Sequence, residues 1–204
     1  MLDAQPVTKA TFRDELARLV ATFAANAAEY TSPGYPEAQA RTDFISPFFR
    51  ALGWDVENRA ALPYTQREVI EEKGPGEGRP DYTFRIAGRP KFFVEAKPPH
   101  EDLDAERHVL QAKRYAWSTK EVFAVILTDF EEFRFYDASL EPDVNHPHRG
   151  LLDRFHLRYT DYLDHLDDLW EFSSGIKGRF PFCRCHVLMI TYSKIVALFI
   201  FSSA

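Results

Sequence analysis

Two acidic residues and one lysine fall at the ends of two short segments that have the composition of β-strands. The first segment follows Pro80 and runs from Asp81 to residue 86, and the second contains Glu95 and ends with Lys97. Carboxylates are hard oxygen ligands of the kind that Mg²⁺ prefers, and a neighbouring ammonium stabilises developing negative charge. If the segments pair, the three side chains can bind a divalent metal and handle an attacking water.

The second segment alternates between two faces, because successive side chains of a strand point to opposite sides of the sheet. One face carries both charged residues after an aromatic one: Phe93, Glu95 and Lys97. The other face is wholly apolar: Phe92, Val94 and Ala96. A turn at 88–90 would make a hairpin of the two segments and bring Asp81 within reach of Glu95 and Lys97.

The elements that must position this cluster follow from hydrophobic periodicity. Apolar residues recur at helical spacing over 9–30, and a second helical pattern covers 37–52, where Pro47 should kink or split the helix. A third helix is expected over 102–117, with acidic residues 101, 102 and 104 in its first turn. Glu37 and Arg41 share one face of the second helix, and a solvated ion pair is the simple alternative to a functional role.

Strands are expected on both sides of this cluster. Residues 54–57 and 65–72 have the composition of strands, and the continuous apolar run within 121–128 predicts a central strand buried on both faces. Two more strands are expected at 133–136 and 155–159, followed by an acidic helical segment at 162–172. The predicted fold is α/β, with a central mixed sheet of about five strands flanked by helices.

The segment 73–80 contains three glycines and two prolines and lies directly before Asp81. This composition is typical of a hairpin loop, and a mobile arm that closes over a phosphate backbone is the alternative. It is not a phosphate-binding P-loop, because no Gly-Lys-Ser/Thr ends it and no helix follows.

The pattern Pro80-Asp81, a gap, and Glu95-Ala96-Lys97 resembles the PD-(D/E)xK nuclease superfamily. Other segments strengthen the resemblance: a helix with Glu37 and Arg41 upstream, and Gln111 and Tyr115 downstream. In this order they look like the nuclease domain at the N-terminus of type I restriction R subunits and of type IIG restriction-modification enzymes. The resemblance covers roughly residues 10–172 and implies a restriction-endonuclease-like fold.

The resemblance implies a role for each matching residue in a Mg²⁺-dependent DNA endonuclease, in which Mn²⁺ can substitute. Asp81, Glu95, Lys97 and Glu37 are expected to be catalytic. Asp81, Glu95 and the Ala96 carbonyl are the expected metal ligands. Gln111 and Tyr115, one turn apart on the third helix, are expected to contact DNA or support the site.

Composition limits the alternatives. The chain has 204 residues, 45% hydrophobic and 27% charged, with a net charge of −6, which is ordinary for a globular domain and argues against a general nucleic-acid binder. Its two cysteines, 183 and 185, are too few for a disulfide framework and fit a reducing cytoplasm. Nothing in the sequence indicates a serine or cysteine nucleophile activated by a histidine base, so a covalent intermediate is not expected.

Residues 1–174 are predicted to form the nuclease domain and 175–204 an atypical apolar tail. The apolar run at 187–201 has about 15 residues, fewer than the roughly 20 that span a bilayer, so no membrane partner is expected. Truncation or a frameshift after about residue 174 is one hypothesis for the tail. DNA is the expected partner, together with methyltransferase or specificity subunits.

Two other functions remain open at this point. One is a catalytically idle DNA- or partner-binding module left from a truncated restriction enzyme. The other is a freestanding repair or mobile-element nuclease of the same fold, which only genome context would separate from a restriction enzyme.

Overall fold

The computed structural model describes residues 7–72 and 79–177. These residues form one mixed sheet with helices packed on both of its faces, which confirms the α/β prediction. The sheet has six strands, so the expected number of about five was close.

The strands lie side by side in the order in which they occur in the chain. They are β1 Val69–Glu71, β2 Tyr82–Ile86, β3 Arg89–Ala96, β4 Ala124–Thr128, β5 Glu132–Asp137 and β6 Leu151–Arg158. All neighbouring pairs are antiparallel except β3 and β4, which are parallel. A parallel pair needs a crossover, and the helical segment between β3 and β4 provides it.

Within residues 7–72 and 79–177, six α-helices surround the sheet. They are α1 Lys9–Ala25, α2 Ala27–Tyr30, α3 Glu37–Ala40, α4 Ser46–Ala51, α5 Glu106–Ser118 and α6 Leu166–Ile176. A π-helical segment, Arg41–Ile45, joins α3 to α4, and single 3₁₀ turns occur at Tyr64–Gln66 and Tyr159–Asp161. Thr8 caps α1 through a hydrogen bond from the backbone N–H of Thr11.

The two faces of β3 pack into two different apolar clusters, as the alternation predicted. Phe92, Val94 and Ala96 belong to the larger cluster, which also takes in α1, α4 and α6. Phe93 belongs to the smaller cluster beneath α5. Every residue of β4 is buried, as expected of a central strand covered on both faces.

An aromatic group fixes the hairpin of β2 and β3 against the helices. The rings of Phe84 and Phe92 stack with centroids 4.3 Å apart, and Trp54 packs edge-on against both. The indole N–H of Trp54 donates to Ser173 Oγ over 3.0 Å, which ties this group to α6. The strand that carries Glu95 is therefore packed against Trp54, which is itself bonded to α6.

The helix over 37–51 is not one uniform α-helix, in agreement with the effect expected of Pro47. Proline has no N–H to donate to the preceding turn. The chain widens just before it into the π-helical segment, where the Ser46 N–H donates to the Arg41 carbonyl. Wide turns of this type are frequent at functional sites.

Two local predictions were wrong. Residues 54–57 form turns rather than a strand, because the Asp55 carboxylate accepts hydrogen bonds from the backbone N–H groups of Arg59 and Ala60. The third helix begins at Glu106 rather than near 102, because the Asp102 carboxylate accepts from the Asp104 N–H and forms a turn instead. The strand expected over 65–72 is also shorter, since only β1 has extended pairing.

The hairpin turn consists of Ala87 and Gly88, one position earlier than expected, so that Arg89 and Pro90 belong to β3. Both turn residues have positive φ, 50° at Ala87 and 76° at Gly88. A Cβ at Gly88 would lie 2.6 Å from the Thr65 carbonyl oxygen, so this position requires glycine.

Some predictions fall outside the described residues. These are the loop at 73–78 and most of the tail, from residue 178 onward. Helix α6 extends to Ile176, slightly past the boundary placed at 174, and the division into domain and tail stays a prediction. Within the described part of the chain, no helix is both long enough and apolar enough to cross a membrane.

Candidate active site

The predicted cluster of Asp81, Glu95 and Lys97 comes together at one end of the sheet. Asp81 directly precedes β2, whose antiparallel register places Tyr82 opposite Val94. The Asp81 Oδ2 atom accepts a hydrogen bond from the Ala96 N–H over 2.8 Å. Lys97 follows β3, and its N–H donates to the Thr128 carbonyl at the end of β4. The site thus lies where β3 and β4 both end.

Glu95 and Lys97 form a buried ion pair on the face that the alternation predicted. Lys97 Nζ lies 2.7 Å from Glu95 Oε1, and the two side chains are only 11% and 4% exposed. Gln111 of α5 donates from Nε2 to the same oxygen over 2.9 Å. The other oxygen, Glu95 Oε2, is buried and has no hydrogen-bond partner among the described residues. A buried carboxylate oxygen without a donor is costly, so this atom is a candidate ligand position.

Burial raises the pKa of Glu95 to about 7. Lys97 opposes this shift, and the negative charges of Asp81 and Glu37 add to it. The pKa of Glu37 is raised for the same reasons, with burial as the largest cause and Asp81 next. Three carboxylates therefore repel one another in a poorly hydrated place, and a bound cation would relieve that repulsion.

Arg41 is the main cation opposite Asp81. Its Nη1 lies 3.1 Å from Asp81 Oδ1, its Nη2 lies 3.1 Å from Glu71 Oε1, and Nη2 also donates to the Glu72 carbonyl. The predicted partner, Glu37, is farther away, with 3.8 Å between its Oε1 and Arg41 Nη1. The Arg41 side chain is only 11% exposed, so the simple alternative of a solvated surface pair does not hold.

Tyr82 and Ser46 were not identified from the sequence. The Tyr82 side chain is fully buried, with its hydroxyl 2.9 Å from Ser46 Oγ and 3.4 Å from Arg41 Nε. Its ring also lies under the Arg41 guanidinium at 4.9 Å. These contacts hold the Arg41 side chain against the first residue of β2. A tyrosine directly after the Pro-Asp pair was the available signal, but a strand residue of this type usually indicates only core packing.

The two predicted substrate-binding residues differ in their surroundings. Gln111 reaches the site from α5 through its hydrogen bond to the Glu95 carboxylate. Tyr115 packs against the smaller apolar cluster and is partly buried. They share a helix face as expected, and Gln111 is the one of the two that donates to the Glu95 carboxylate.

The residues present are suited to a hard divalent cation, although the donor set is small. Among the described residues, no group of three or more His, Cys, Asp or Glu side chains is arranged as a ready metal site. The expected ligand set has two carboxylates, Asp81 and Glu95, and a backbone carbonyl at Ala96. The buried, unpartnered Glu95 Oε2 fits such an ion, because it offers an oxygen that nothing in the described chain satisfies.

Two comparisons with known proteins find restriction enzymes. Residues 64–143 match the family model for the type I restriction enzyme R protein N terminus, and this range includes the expected catalytic residues except Glu37. The chain is 35% identical over 165 residues to the type II restriction enzyme and methyltransferase RM.Eco57I of Escherichia coli. That alignment covers 77% of this chain and 16% of the relative, so the chain spans about a sixth of that relative's length.

No solved structure matches the chain significantly. The fold therefore rests on the strand order and packing described above, and the resemblance rests on the two sequence comparisons. Together they confirm the predicted resemblance: the chain is similar to the N terminus of type I restriction R proteins and to part of a type II restriction enzyme and methyltransferase.

Proposed function

We propose that the chain is a Mg²⁺-dependent DNA endonuclease domain of a restriction-modification system, hydrolysing phosphodiester bonds. The observation that carries this proposal is the convergence of Asp81, Glu95 and Lys97, with one buried Glu95 oxygen lacking a donor. The similarity to restriction enzymes supports DNA as the substrate and methyltransferase or specificity subunits as partners. A restriction function would place the protein in the cytoplasm.

Asp81 and Glu95 would hold the ion, with the Ala96 carbonyl as a further ligand and Mn²⁺ as a substitute metal. When bound, such an ion neutralises charge on the phosphate and lowers the pKa of water. The chain itself must keep both carboxylates ionised and oriented. Arg41 and the Ala96 N–H fix Asp81, while Lys97 and Gln111 fix Glu95.

Lys97 would act on the attacking water or on the phosphate. Its ammonium has three protons, and its contact with Glu95 Oε1 uses one of them. The remaining donors can orient a water for in-line attack or stabilise charge on a phosphate oxygen. Glu37, whose pKa burial raises, would contribute through water at the edge of the site.

The catalytically idle binding module remains the second candidate, and one observation favours it. Asp81 and Glu95 are each already paired with a cation, Arg41 and Lys97, so the cluster is partly neutralised without a metal. In this case the ion pairs would serve the fold, and the domain would only dock DNA or a partner subunit.

Cleavage of supercoiled plasmid by the purified chain in Mg²⁺ or Mn²⁺ tests the nuclease proposal. Asp81→Ala and Lys97→Ala should abolish nicking, while Asp153→Ala and Lys120→Ala, at exposed positions outside the site, should cleave like the parent. Circular dichroism and thermal unfolding establish that each variant is folded.

The other outcomes separate the two candidates. Metal binding that Asp81→Ala removes, without any cleavage, would identify an intact metal site in a chain that does not cleave alone. Absence of both cleavage and metal binding in the folded parent would rule out the catalytic assignment and leave the binding module.

A further inference from the structure

A polar cleft lies between α4 and β1, next to the candidate active site. Its volume is about 380 Å³, and it is separate from the Asp81–Glu95–Lys97 cluster. The charged side chains that line it are Arg50, Arg67, Glu57 and Glu71.

Two arginines of this cleft have buried donors without acceptors. The Nε atoms of Arg50 and Arg67 are both inaccessible to solvent and have no hydrogen-bond partner among the described residues. A buried N–H without an acceptor is unfavourable, and guanidinium groups are matched in shape to the oxygens of phosphate. Both arginines line the cleft, and the guanidinium group carries further N–H donors of the kind that bind the oxygens of a phosphate.

Arg67 is the arginine of this cleft that has no carboxylate partner among the described residues. Arg50 is paired with Glu57, and Glu71 is paired with Arg41. The Arg67 guanidinium has no ion pair within the described part of the chain and lies over the ring of Tyr64, 5.9 Å from its centroid. Tyr64 is 61% exposed, so this arginine is oriented by stacking at the mouth of the cleft rather than by a carboxylate.

The cleft and the active site share one chain of contacts. Glu71 lines the cleft and lies 3.1 Å from Arg41, whose other terminal nitrogen lies 3.1 Å from Asp81. Ser46, also in the cleft wall, contacts the hydroxyl of Tyr82. Because phosphates follow one another closely along a DNA strand, a strand at Asp81 brings further phosphates near this cleft.

We propose that the cleft between α4 and β1 is a DNA-backbone subsite, in which Arg67, assisted by Arg50, binds a phosphate flanking the one at Asp81. This inference rests on the proposed function for its ligand, because DNA is the polyanion that a nuclease domain must hold. It also accounts for how a chain with a net charge of −6 grips DNA through a local cation rather than a basic surface.

The test measures binding of a fluorescent DNA duplex in EDTA by anisotropy, over a series of salt concentrations. Removing one phosphate contact should lower the slope of log affinity against log salt by about one. We expect this change for Arg67→Ala, together with about tenfold weaker binding at low salt. Arg67→Lys should keep the parent's slope, because the charge remains, but should bind more weakly without the planar fork.

Arg13→Ala is the matched control, since Arg13 is an exposed arginine on α1, away from the cleft. An Arg67→Ala slope equal to that of the parent and of Arg13→Ala would overturn the subsite. A folded parent that does not bind the duplex in EDTA would overturn it as well.

Cleavage assays on the same proteins separate this inference from the proposed function. Binding with an Arg67-dependent slope but no cleavage in Mg²⁺ would leave the subsite standing and remove the nuclease. Cleavage by the parent, together with DNA binding that Arg67→Ala leaves unchanged, would support the nuclease and overturn the subsite.

Discussion

Arg41 and Asp81, forty positions apart in sequence, form the contact that closes the candidate site on its helical side, with 3.1 Å between Nη1 and Oδ1. The second oxygen of Asp81 accepts the Ala96 N–H, so both oxygens of this carboxylate are held. A metal ligand held in this way loses little conformational freedom when an ion binds. The widened helical turn that begins at Arg41 is therefore a part of the site as well as a response to Pro47.

Arg41→Met should destabilise the fold and impair the site together. Removing one partner of a largely buried pair leaves Asp81 and Glu71 without their cation, which costs about 3 kcal/mol. Urea unfolding measures the loss, and plasmid nicking should fall strongly. Arg18→Met, which removes an exposed arginine paired with Glu15, should change both quantities little. An Arg41→Met variant as stable and active as the Arg18 control would contradict the role assigned to this contact.

Gln111→Met should weaken metal binding more than it weakens the fold. It removes the amide donor to Glu95 Oε1 while Lys97 keeps its contact with the same oxygen. Groups that orient metal ligands typically contribute 10- to 100-fold to metal affinity, so we expect about tenfold weaker Mn²⁺ binding by titration calorimetry.

The matched control is Gln39→Met, since Gln39 is an exposed glutamine whose amide makes a long contact of 3.4 Å to Asp43. Equal Mn²⁺ affinity in the parent and in Gln111→Met would show that this hydrogen bond does not position Glu95.

Glu95 should make the metal-free protein less stable as the pH rises. Its pKa is raised from 4.5 to about 7, so the folded state holds the proton more tightly than the unfolded chain. Stability is therefore lost between pH 4.5 and 7, by up to about 3 kcal/mol. The Glu95→Gln variant lacks this titration, so the free energy of unfolding of the parent relative to the variant should fall across that window in EDTA.

Mg²⁺ should reverse the effect above pH 7, because binding of the ion stabilises the ionised carboxylate. A parent-to-variant difference that is constant from pH 4.5 to 8 would mean that Glu95 titrates normally. Metal-dependent stabilisation of Glu95→Gln equal to that of the parent would exclude Glu95 as a ligand.

Gly88→Ala should destabilise the hairpin that places Asp81 beside β3. The backbone at Gly88 has a φ of 76°, and a Cβ would meet the Thr65 carbonyl at 2.6 Å. We expect a loss of at least about 2 kcal/mol in urea unfolding. Gly34→Ala is the control, because its Cβ would have only Ser32 Oγ nearby, at 3.8 Å, and should be close to neutral. Equal stability of the two variants would refute the strain assigned to this turn.

Local sequence patterns were enough to predict the strands beside the candidate catalytic residues. The alternation over 92–97 determines which side chains share a face, because the side-chain period of a strand is two. The apolar run before Thr128 predicted a buried central strand for the same reason. At Asp55 and Asp102 the sequence pattern alone predicted the wrong element. There the carboxylate accepts hydrogen bonds from nearby backbone N–H groups and forms a turn, so those groups do not enter a strand or a helix.

The sequence by itself thus determined the α/β class and which side chains of β3 share a face, and it predicted the candidate trio of Asp81, Glu95 and Lys97. The tertiary structure alone decided their partners: Arg41 on Asp81, Gln111 on Glu95, and the adjoining cleft with Arg67. The physical reason is that periodicity specifies the face of one strand or helix on which a side chain lies. An ion pair or a cavity wall depends instead on packing between elements that are distant in the chain. The raised pKa of Glu95 has the same origin, because burial is a property of the assembled fold.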